Sequence, residues 1–171
     1  HVQCRGSYQI GRRRIKDTAS PGLYDFKRAF KKSSNYYFIH QAVAENHGIE
    51  HIIRMARQFH LGERTGLLPE QEVAGQLPSA ERIRNRWGDG DTANICIGQG
   101  EITVTPLQMA LMVSTVANGG TCYYPRLVDR IESPDPNQRQ AIRQFPRARV
   151  RSKLFVKQEN LAVVQEAMYA D

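Results

Sequence analysis

The chain has 171 residues, of which 40% are hydrophobic, 8% aromatic and 24% charged. This length suits one domain with a substantial core and is hardly enough for two, and the composition is that of a globular protein. No run approaches the roughly 18 apolar residues of a membrane span, and no basic and then apolar leader opens the chain. The abrupt start and end predict a piece of a longer protein.

The formal charge of +7 and the pI near 9.6 raise the question of nucleic-acid binding. The cations concentrate in two runs, residues 12–16 and 143–153. Neither run is interleaved with the aromatic side chains on which single-strand binders stack bases, and no helix-turn-helix, RNP-like or zinc-finger spacing is present. We therefore expect no nucleic-acid partner. The charge favours a solvated basic surface or contact with an anionic membrane or cell-wall polymer.

Cysteine and histidine spacing predicts neither a disulfide framework nor a metal site. The three cysteines, at positions 4, 96 and 122, are too few and too scattered, and none forms a CxxC. Four histidines follow one another in the chain: His40, His47, His51 and His60. Gly48 falls between the pair spaced four apart and no HExxH motif exists, so we interpret them as helix-surface or core residues. We expect no metal and no cofactor.

The first part of the chain predicts an extended segment followed by a helix. Residues 2–10 alternate weakly between apolar and polar and contain glycine, as a short strand or an extended lead-in does. A turn-rich stretch follows, and apolar side chains at helical spacing then predict a helix over residues 24–32. Ser33, Ser34 and Asn35 interrupt this helix, because all three residue types prefer caps and turns.

Two further helices follow the interruption. Apolar residues at helical spacing predict one helix that ends at Gly48 and a second that ends at Gly62. Because a short glycine turn joins them, these helices should pack against each other. Residues 62–77 are predicted to be a loop, residues 79–86 a short helix, and residues 87–91 (WGDGD) turn and loop.

The second half contains the strongest helix prediction. Thr105-Pro106-Leu107-Gln108 is a capping-box pattern with proline at the first helical position. The helix that it opens is apolar on most sides, which is typical of a buried helix, and it ends at residues 118–120 (NGG). Residues 122–131 predict a strand, residues 144–155 its returning hairpin partner, and residues 158–170 a last helix. The sequence therefore predicts one helix-rich α+β domain.

Ser33 and Asn35 are the candidate catalytic residues. A Ser-x-Asn at the mouth of a helix places a hydroxyl and a carboxamide on the same side of a turn. One of these groups can relay a proton while the other holds a substrate carbonyl or amide. Taken alone, the pattern more often serves as a plain helix cap, and the preceding Lys31 and Lys32 would ordinarily be solvated.

The context of this motif resembles that of the penicillin-binding transpeptidases. Residues 29–38, AFKKSSNYYF, are similar to their Ser-x-Asn active-site motif, with an Ala-Phe dipeptide before it and an aromatic residue after it. Residues 91–120, DTANICIGQGEITVTPLQMALMVSTVANGG, resemble a segment that these proteins carry downstream. Residues 62–78, GERTGLLPEQEVAGQLP, resemble the loop between the two. The opening CRGSYQIGRR is similar to the strand before Ser-x-Asn in the elongation-type, class B members.

The resemblance implies the penicillin-binding transpeptidase fold, an α+β fold shared with serine β-lactamases, of which this chain holds the helix-rich part. It implies that residues 1–171 are a partial transpeptidase domain of a peptidoglycan D,D-transpeptidase, which crosslinks stem peptides through a serine acyl-enzyme. Ser33 would relay a proton between a lysine amine and the leaving group. Asn35 would hydrogen-bond the substrate's backbone amide and orient the lysine. Ser34 receives no role, and residues 98–100 (GQG) receive a structural one.

Two of the family's three motifs are missing from the chain. No serine is followed three residues later by lysine, and no Lys-Thr-Gly occurs. The Arg-Thr-Gly at residues 64–66 lies in the predicted loop and is no substitute. We expect the nucleophile motif upstream of Cys4 and the Lys-Thr-Gly strand beyond Asp171. The isolated chain should then be inactive and should expose apolar surface where the missing sheet strands would pack.

The partners implied are peptidoglycan stem peptides, β-lactam antibiotics and a glycosyltransferase of the elongation machinery. The implied location is the periplasmic face of the bacterial inner membrane, with the anchor outside this chain. A catalytically silent homologue that scaffolds the elongation machinery is an alternative, and a Ser-x-x-Lys upstream would decide against it. A third is a basic binding domain in which Ser-x-Asn is merely a cap, which a salt-dependent affinity for DNA would support. A serine β-lactamase shares the motifs, but the GQG to TPLQMA context favours the transpeptidase.

Overall fold

The computed structural model describes residues 1–44, 48–68, 70–135 and 141–169. The strands are β1 Val2–Cys4, β2 Ser7–Ile10, β3 Arg13–Lys16, β4 Gly22–Tyr24, β5 Thr121–Tyr123, β6 Arg130–Glu132, β7 Ala141–Gln144 and β8 Val150–Lys153. The helices are α1 Phe26–Lys31, α2 Asn35–Val43, α3 Ile49–Gln58, α4 Ala80–Arg86, α5 Asp89–Cys96, α6 Pro106–Ala117 and α7 Gln158–Tyr169. The strands are short and form antiparallel pairs. Most of the regular structure in the described residues is helical, as predicted.

Helix α2 lies at the centre of the N-terminal half. The pairs β1–β4 and β2–β3 pack beside it, and α5 packs along it. Tyr37 of α2 belongs to the core cluster under β1 and β4, while Ile39 belongs to a second cluster with Ile15 and Ala93. Ile39 is fully buried, which contributes about 1.5–3 kcal/mol relative to an exposed side chain. The residues just before α2 are therefore attached to the best-packed helix of this half.

Four helices, α1, α3, α5 and α6, end in the same way. In each, a residue with left-handed backbone follows the cap, and two N–H groups bond back to the last turn in a Schellman motif. Gly98 and Gly119 fill this position after α5 and α6. Ser33 and His60 fill it after α1 and α3, at φ of 50° and 59°, and no other non-glycine residue of the described chain has positive φ. A side chain in this conformation costs about 1–2 kcal/mol.

The C-terminal strands form one hairpin with two interrupted arms. β5 pairs antiparallel with β8, and β6 with β7, so the sequence-predicted pairing is confirmed while each arm is split into two strands. Pro125 and Pro146 lie in the gaps, where each lacks the N–H that a continuous ladder requires. The backbone hydrogen bond from Tyr124 to Arg149, at 2.9 Å, holds the arms together across the gaps.

The prediction that residues 87–91 form only turn and loop is wrong. Helix α5 begins at Asp89. The carboxylate of Asp91 accepts the Gly88 N–H at 3.0 Å and so caps the first turn. Both aspartates also lie at the positive end of the helix dipole, which favours negative charge. The two glycines of WGDGD suggested a turn, but the acidic first turn supports a helix.

Two other helix boundaries differ from the sequence prediction. Helix α1 begins at Phe26 rather than two residues earlier, because Asp25 acts as its N-cap and accepts the Arg28 N–H at 2.8 Å. Helix α2 ends at Val43. Its predicted end at Gly48 depends on residues 45–47, which lie outside the described residues.

Helix α6 is less buried than its apolar composition predicted. Met109 and Val113 are 39% and 43% exposed. Two apolar cavities, of about 530 and 570 Å³, lie beside α3 and α6 and share Met55, Phe59 and Met112 in their walls. The described residues therefore leave much of the α3, α6 and α7 apolar surface uncovered. No helix among them has the length and apolar content needed to cross a bilayer.

Candidate active site

Lys32, Ser33 and Ser34 form the whole connection between α1 and α2, and Asn35 is the first residue of α2. Lys32 caps α1, Ser33 follows in the left-handed conformation, and Ser34 is the N-cap of α2. The N–H groups of Ser33 and Ser34 both donate to carbonyls in the last turn of α1 at 2.9 Å. Because one residue ends a helix and the next begins another, the turn has little freedom to move independently of the two helices.

Ser33 presents its side chain to solvent. The residue is exposed, and its carbonyl oxygen accepts a hydrogen bond from the Thr18 hydroxyl. Within the described part of the chain its own hydroxyl makes no hydrogen bond to another residue. The hydroxyl is therefore available to a ligand or to a group from outside these residues.

Ser34 is completely buried and is fully hydrogen-bonded. Its Oγ donates to Asp17 Oδ2 at 2.9 Å and accepts the Tyr37 N–H at 3.2 Å. The Cys4 Sγ lies 3.7 Å from the same oxygen. The sequence assigned no role to Ser34. The structure shows that its side chain is buried and caps the N-terminus of α2.

Asn35 is half-buried at the first position of α2. Its Nδ2 donates to the carbonyl of Lys16 at 3.1 Å. Since a carboxamide is planar, this bond leaves Oδ1 on the other side of the group to accept a hydrogen bond. Ser33 and Asn35 thus provide one hydroxyl and one oriented carboxamide from the same turn.

These two groups cannot begin acyl transfer alone. Neither is an acid or a base near neutral pH, and the chain contains no Ser-x-x-Lys. The thiols are no substitute: Cys4 and Cys122 are buried, and burial raises the pKa of the Cys96 thiol to about 11. A protonated thiol is a poor nucleophile. The turn can therefore bind, orient and relay a proton, but it needs a nucleophile from elsewhere.

Gln108 links the predicted loop at residues 62–77 to α6. The side chain is only 2% exposed, and its Nε2 donates to the carbonyls of Glu63 and Ala74 at 2.7 and 2.8 Å. Its Oε1 accepts the Thr105 N–H at 2.7 Å, as the capping box predicted. The two long-range bonds were not predictable from sequence, because a capping pattern reports only local partners.

Glu72 stabilises the same loop through hydrogen bonds to its backbone. Its carboxylate accepts the N–H groups of Thr65, Gly66 and Leu68 at 2.5, 3.1 and 2.7 Å. These bonds, the one from Leu68 most of all, lower the pKa of Glu72 to about 2. The Arg-Thr-Gly thus lies in the predicted loop, where it forms part of a carboxylate-binding turn.

His60 is the second residue with a left-handed backbone. Its Nδ1 lies 3.1 Å from Glu63 Oε2 and its Nε2 lies 2.7 Å from Ser152 Oγ. Arg151 also pairs with Glu63 at 2.6 Å, so these bonds join β8 to the end of α3. We interpret them as a structural link. No three His, Cys, Asp or Glu side chains in the described ranges are grouped as metal ligands, and His47 lies outside those ranges.

Comparisons with known proteins agree with the motif analysis. The family model of the penicillin binding protein transpeptidase domain matches residues 1–171. Peptidoglycan D,D-transpeptidase MrdA of Haemophilus influenzae is 36% identical over 115 residues, which cover 65% of this chain and 17% of that protein. Penicillin-binding protein PbpB of Mycolicibacterium smegmatis is 35% identical over 136 residues, 78% of this chain and 20% of that protein. The chain thus spans no more than about a fifth of these curated relatives.

Solved structures confirm the predicted fold class. Penicillin binding protein 3 of Mycobacterium tuberculosis, complexed with aztreonam, aligns with a TM-score of 0.74 at 30% identity over 97% of this chain and 35% of its own. A chain from a peptidoglycan synthase complex aligns with a TM-score of 0.76 at 29% identity over 96% of this chain and 27% of its own. The whole-chain family match and these alignments place the chain in the family of penicillin-binding protein transpeptidase domains.

Proposed function

We propose that this chain is part of the transpeptidase domain of a class B, elongation-type peptidoglycan D,D-transpeptidase. It supplies Ser33 and Asn35 to an active site that the rest of the protein completes. The observation that carries the proposal is the rigid turn between α1 and α2, which holds an exposed hydroxyl beside an oriented carboxamide. The family match and a relative named as a D,D-transpeptidase support it.

The reaction proposed for the complete protein is acyl transfer. A serine activated by a neighbouring lysine attacks the carbonyl of the D-Ala–D-Ala bond, forming an ester as the terminal D-Ala leaves as an amine. Ser33 passes the proton from the lysine to that amine, and Asn35 binds the substrate's backbone amide and orients the lysine. An amine of a second stem peptide then attacks the ester, which forms the crosslink and frees the serine. β-Lactams would acylate the same serine.

The proposed partners are stem peptides, β-lactams and a glycosyltransferase of the elongation machinery, at the periplasmic face of the inner membrane. The aligned chain at 29% identity supports the glycosyltransferase, because its structure concerns the coordination of polymerization and crosslinking in a peptidoglycan synthase complex. The anchor of the protein would lie outside residues 1–171.

A catalytically silent scaffold of the elongation machinery is the second candidate function. The chain itself contains neither Ser-x-x-Lys nor Lys-Thr-Gly, so a Ser-x-x-Lys elsewhere in the complete protein would decide against this candidate. A scaffold would need the fold of this domain but not the exposed hydroxyl of Ser33.

Labelling of the complete protein with a fluorescent penicillin tests the proposal. We expect covalent labelling of the complete protein and none of residues 1–171 alone. Ser33→Ala and Asn35→Ala should slow labelling by about a hundredfold or more. A hundredfold is the low end of the rate loss expected when a positioned proton-transfer group is removed. Ser20→Ala, a change at another exposed serine, is the matched control and should label normally. A well-folded complete protein that does not label would support the silent scaffold.

A further inference from the structure

One short segment contacts every residue of the Ser-x-Asn turn. The carbonyl of Lys16 accepts from Asn35 Nδ2 at 3.1 Å. The carboxylate of Asp17 accepts from the buried hydroxyl of Ser34 at 2.9 Å. The hydroxyl of Thr18 donates to the carbonyl of Ser33. Three consecutive residues, which we call the 16–18 segment, thus bond in reverse order to three consecutive residues of the turn.

The 16–18 segment is itself fixed to the core. The N–H of Asp17 donates to the carbonyl of Gly6 at 2.9 Å, and its Oδ1 accepts the Ala19 N–H at 3.3 Å. Ile15 before the segment and Ala19 after it are both buried. The segment therefore provides a fixed support against which the turn is positioned.

The turn needs this support most at Ser33. Its φ of 50° is unfavourable for a residue with a side chain. The Schellman bonds fix the N–H groups of Ser33 and Ser34 but leave the carbonyl of Ser33 without an intrahelical partner. The Thr18 hydroxyl bonds to that carbonyl. The peptide plane after Ser33 is then held on both sides, through the Ser34 N–H by the carbonyl of Ala29 and through the Ser33 carbonyl by Thr18, and the exposed side chain extends from this backbone.

We propose that Thr18 is a positioning residue for the active site, which acts through the backbone of Ser33, with Asp17 as a second support through Ser34. This inference rests on the proposed function, because it assigns Thr18 the task of aiming the hydroxyl that relays the proton. Thr18 touches neither substrate nor nucleophile in this scheme. Its effect should appear in the rate of the chemical step rather than in ligand affinity.

The test compares Thr18→Val with Thr18→Ser in the complete protein. Valine keeps the shape of threonine and removes the hydroxyl, whereas serine keeps the hydroxyl. Small misplacements of a catalytic group cost up to about a hundredfold in rate. We expect Thr18→Val to lower the acylation rate constant for a fluorescent penicillin by about tenfold to a hundredfold, with the dissociation constant changed less than about twofold. Thr18→Ser should restore most of the rate.

Amide hydrogen exchange of the same proteins provides a readout that does not require activity. Thr18→Val should raise exchange at the amides of residues 33–37 and leave α6 unchanged, and Thr18→Ser should behave like the parent protein. Faster exchange with an acylation rate within twofold of the parent would overturn the positioning role. Unchanged exchange and unchanged rate would overturn the inference entirely.

The two proposals fail in different ways. If the unaltered complete protein folds but is not acylated, the proposed function fails, and hydrogen exchange still decides whether Thr18 holds the turn. If the unaltered protein is acylated and Thr18→Val matches it, the inference about Thr18 fails and the proposed function stands. Asp17→Asn is the companion variant, and it should raise exchange at the start of α2.

Discussion

The hydroxyl that the proposed mechanism requires belongs to a residue in an unfavourable backbone conformation. Ser33 occupies the position after a helix cap that Gly98 and Gly119 occupy elsewhere in the chain. A glycine there would relieve the strain but would remove the side chain. Strained residues of this kind persist only where surrounding contacts hold them, and they concentrate at functional sites. Here the contacts are the Schellman bonds and the Thr18 hydroxyl.

Two substitutions at Ser33 separate strain from function. Ser33→Ala removes the hydroxyl and keeps the strain, whereas Ser33→Gly removes both. We expect the glycine variant to be more stable than the alanine variant by about 0.5–1 kcal/mol, after allowing for the extra freedom of glycine in the unfolded chain. Urea unfolding of the complete protein measures the difference. Both variants should slow penicillin acylation by about a hundredfold or more. A glycine variant less stable than the alanine variant would contradict the strain at φ 50°.

At the scale of elements, local capping signals were the most reliable part of the sequence. Thr105 and Gln108 form the predicted capping box of α6. The helix predicted over residues 79–86 is α4, and Ser79 is its N-cap rather than its first residue. Capping was missed at α5, where the cap comes from a carboxylate at the third helical position instead of from the residue before the helix. Sequence reasoning succeeded where the partner was close in the chain and expected from residue type.

The loop at residues 62–77 provides a pH prediction. The pKa of Glu72 is lowered to about 2 from 4.5 by its three backbone donors, so the ionised carboxylate stabilises the folded loop. That contribution is complete above pH 4.5 and is lost as the pH falls toward 2, because the unfolded chain binds the proton first. We expect the parent protein to be more stable than Glu72→Gln in urea unfolding at pH 6. The difference in stability should shrink steadily as the pH falls from 4.5 to about 2.

The control for this prediction is Glu70→Gln. Glu70 is exposed and lies two residues away in the same loop, but it does not bond to the turn at Thr65. Its substitution should leave stability unchanged at each pH. A stability difference between the parent and Glu72→Gln that is the same at pH 6 and pH 3 would show that the charge of Glu72 is not what holds the loop.

At the scale of the whole molecule, the described residues do not enclose a complete core. The two cavities that share Met55, Phe59 and Met112 have largely apolar walls. Phe155 and Met168 are 90% and 37% exposed. Large uncovered apolar surface is unusual on a soluble monomer and marks surface that another part or partner covers. This agrees with the proposal that residues 1–171 are part of a larger domain.

The isolated chain should therefore behave as an incomplete domain. We expect residues 1–171 alone to bind a hydrophobic dye such as ANS, to associate in solution and to melt over a broad temperature range. The complete protein should bind less dye per molecule. Light scattering after size exclusion and a thermal melt measure these properties. A sharp cooperative melt of a monodisperse monomer of residues 1–171 would contradict the prediction.

The family, the α+β class, most helices and the candidate pair Ser33 and Asn35 could be predicted from the sequence, because these depend on motifs, periodicity and caps that lie close together along the chain. The role of Ser34, the link through Gln108 and the support of the turn by the 16–18 segment became visible in the folded chain. Those features depend on hydrogen bonds between residues distant in the chain, and residue type at one position does not specify such a partner. The exposure of α6 has the same origin, since burial is decided by what packs against a helix and not by its own composition.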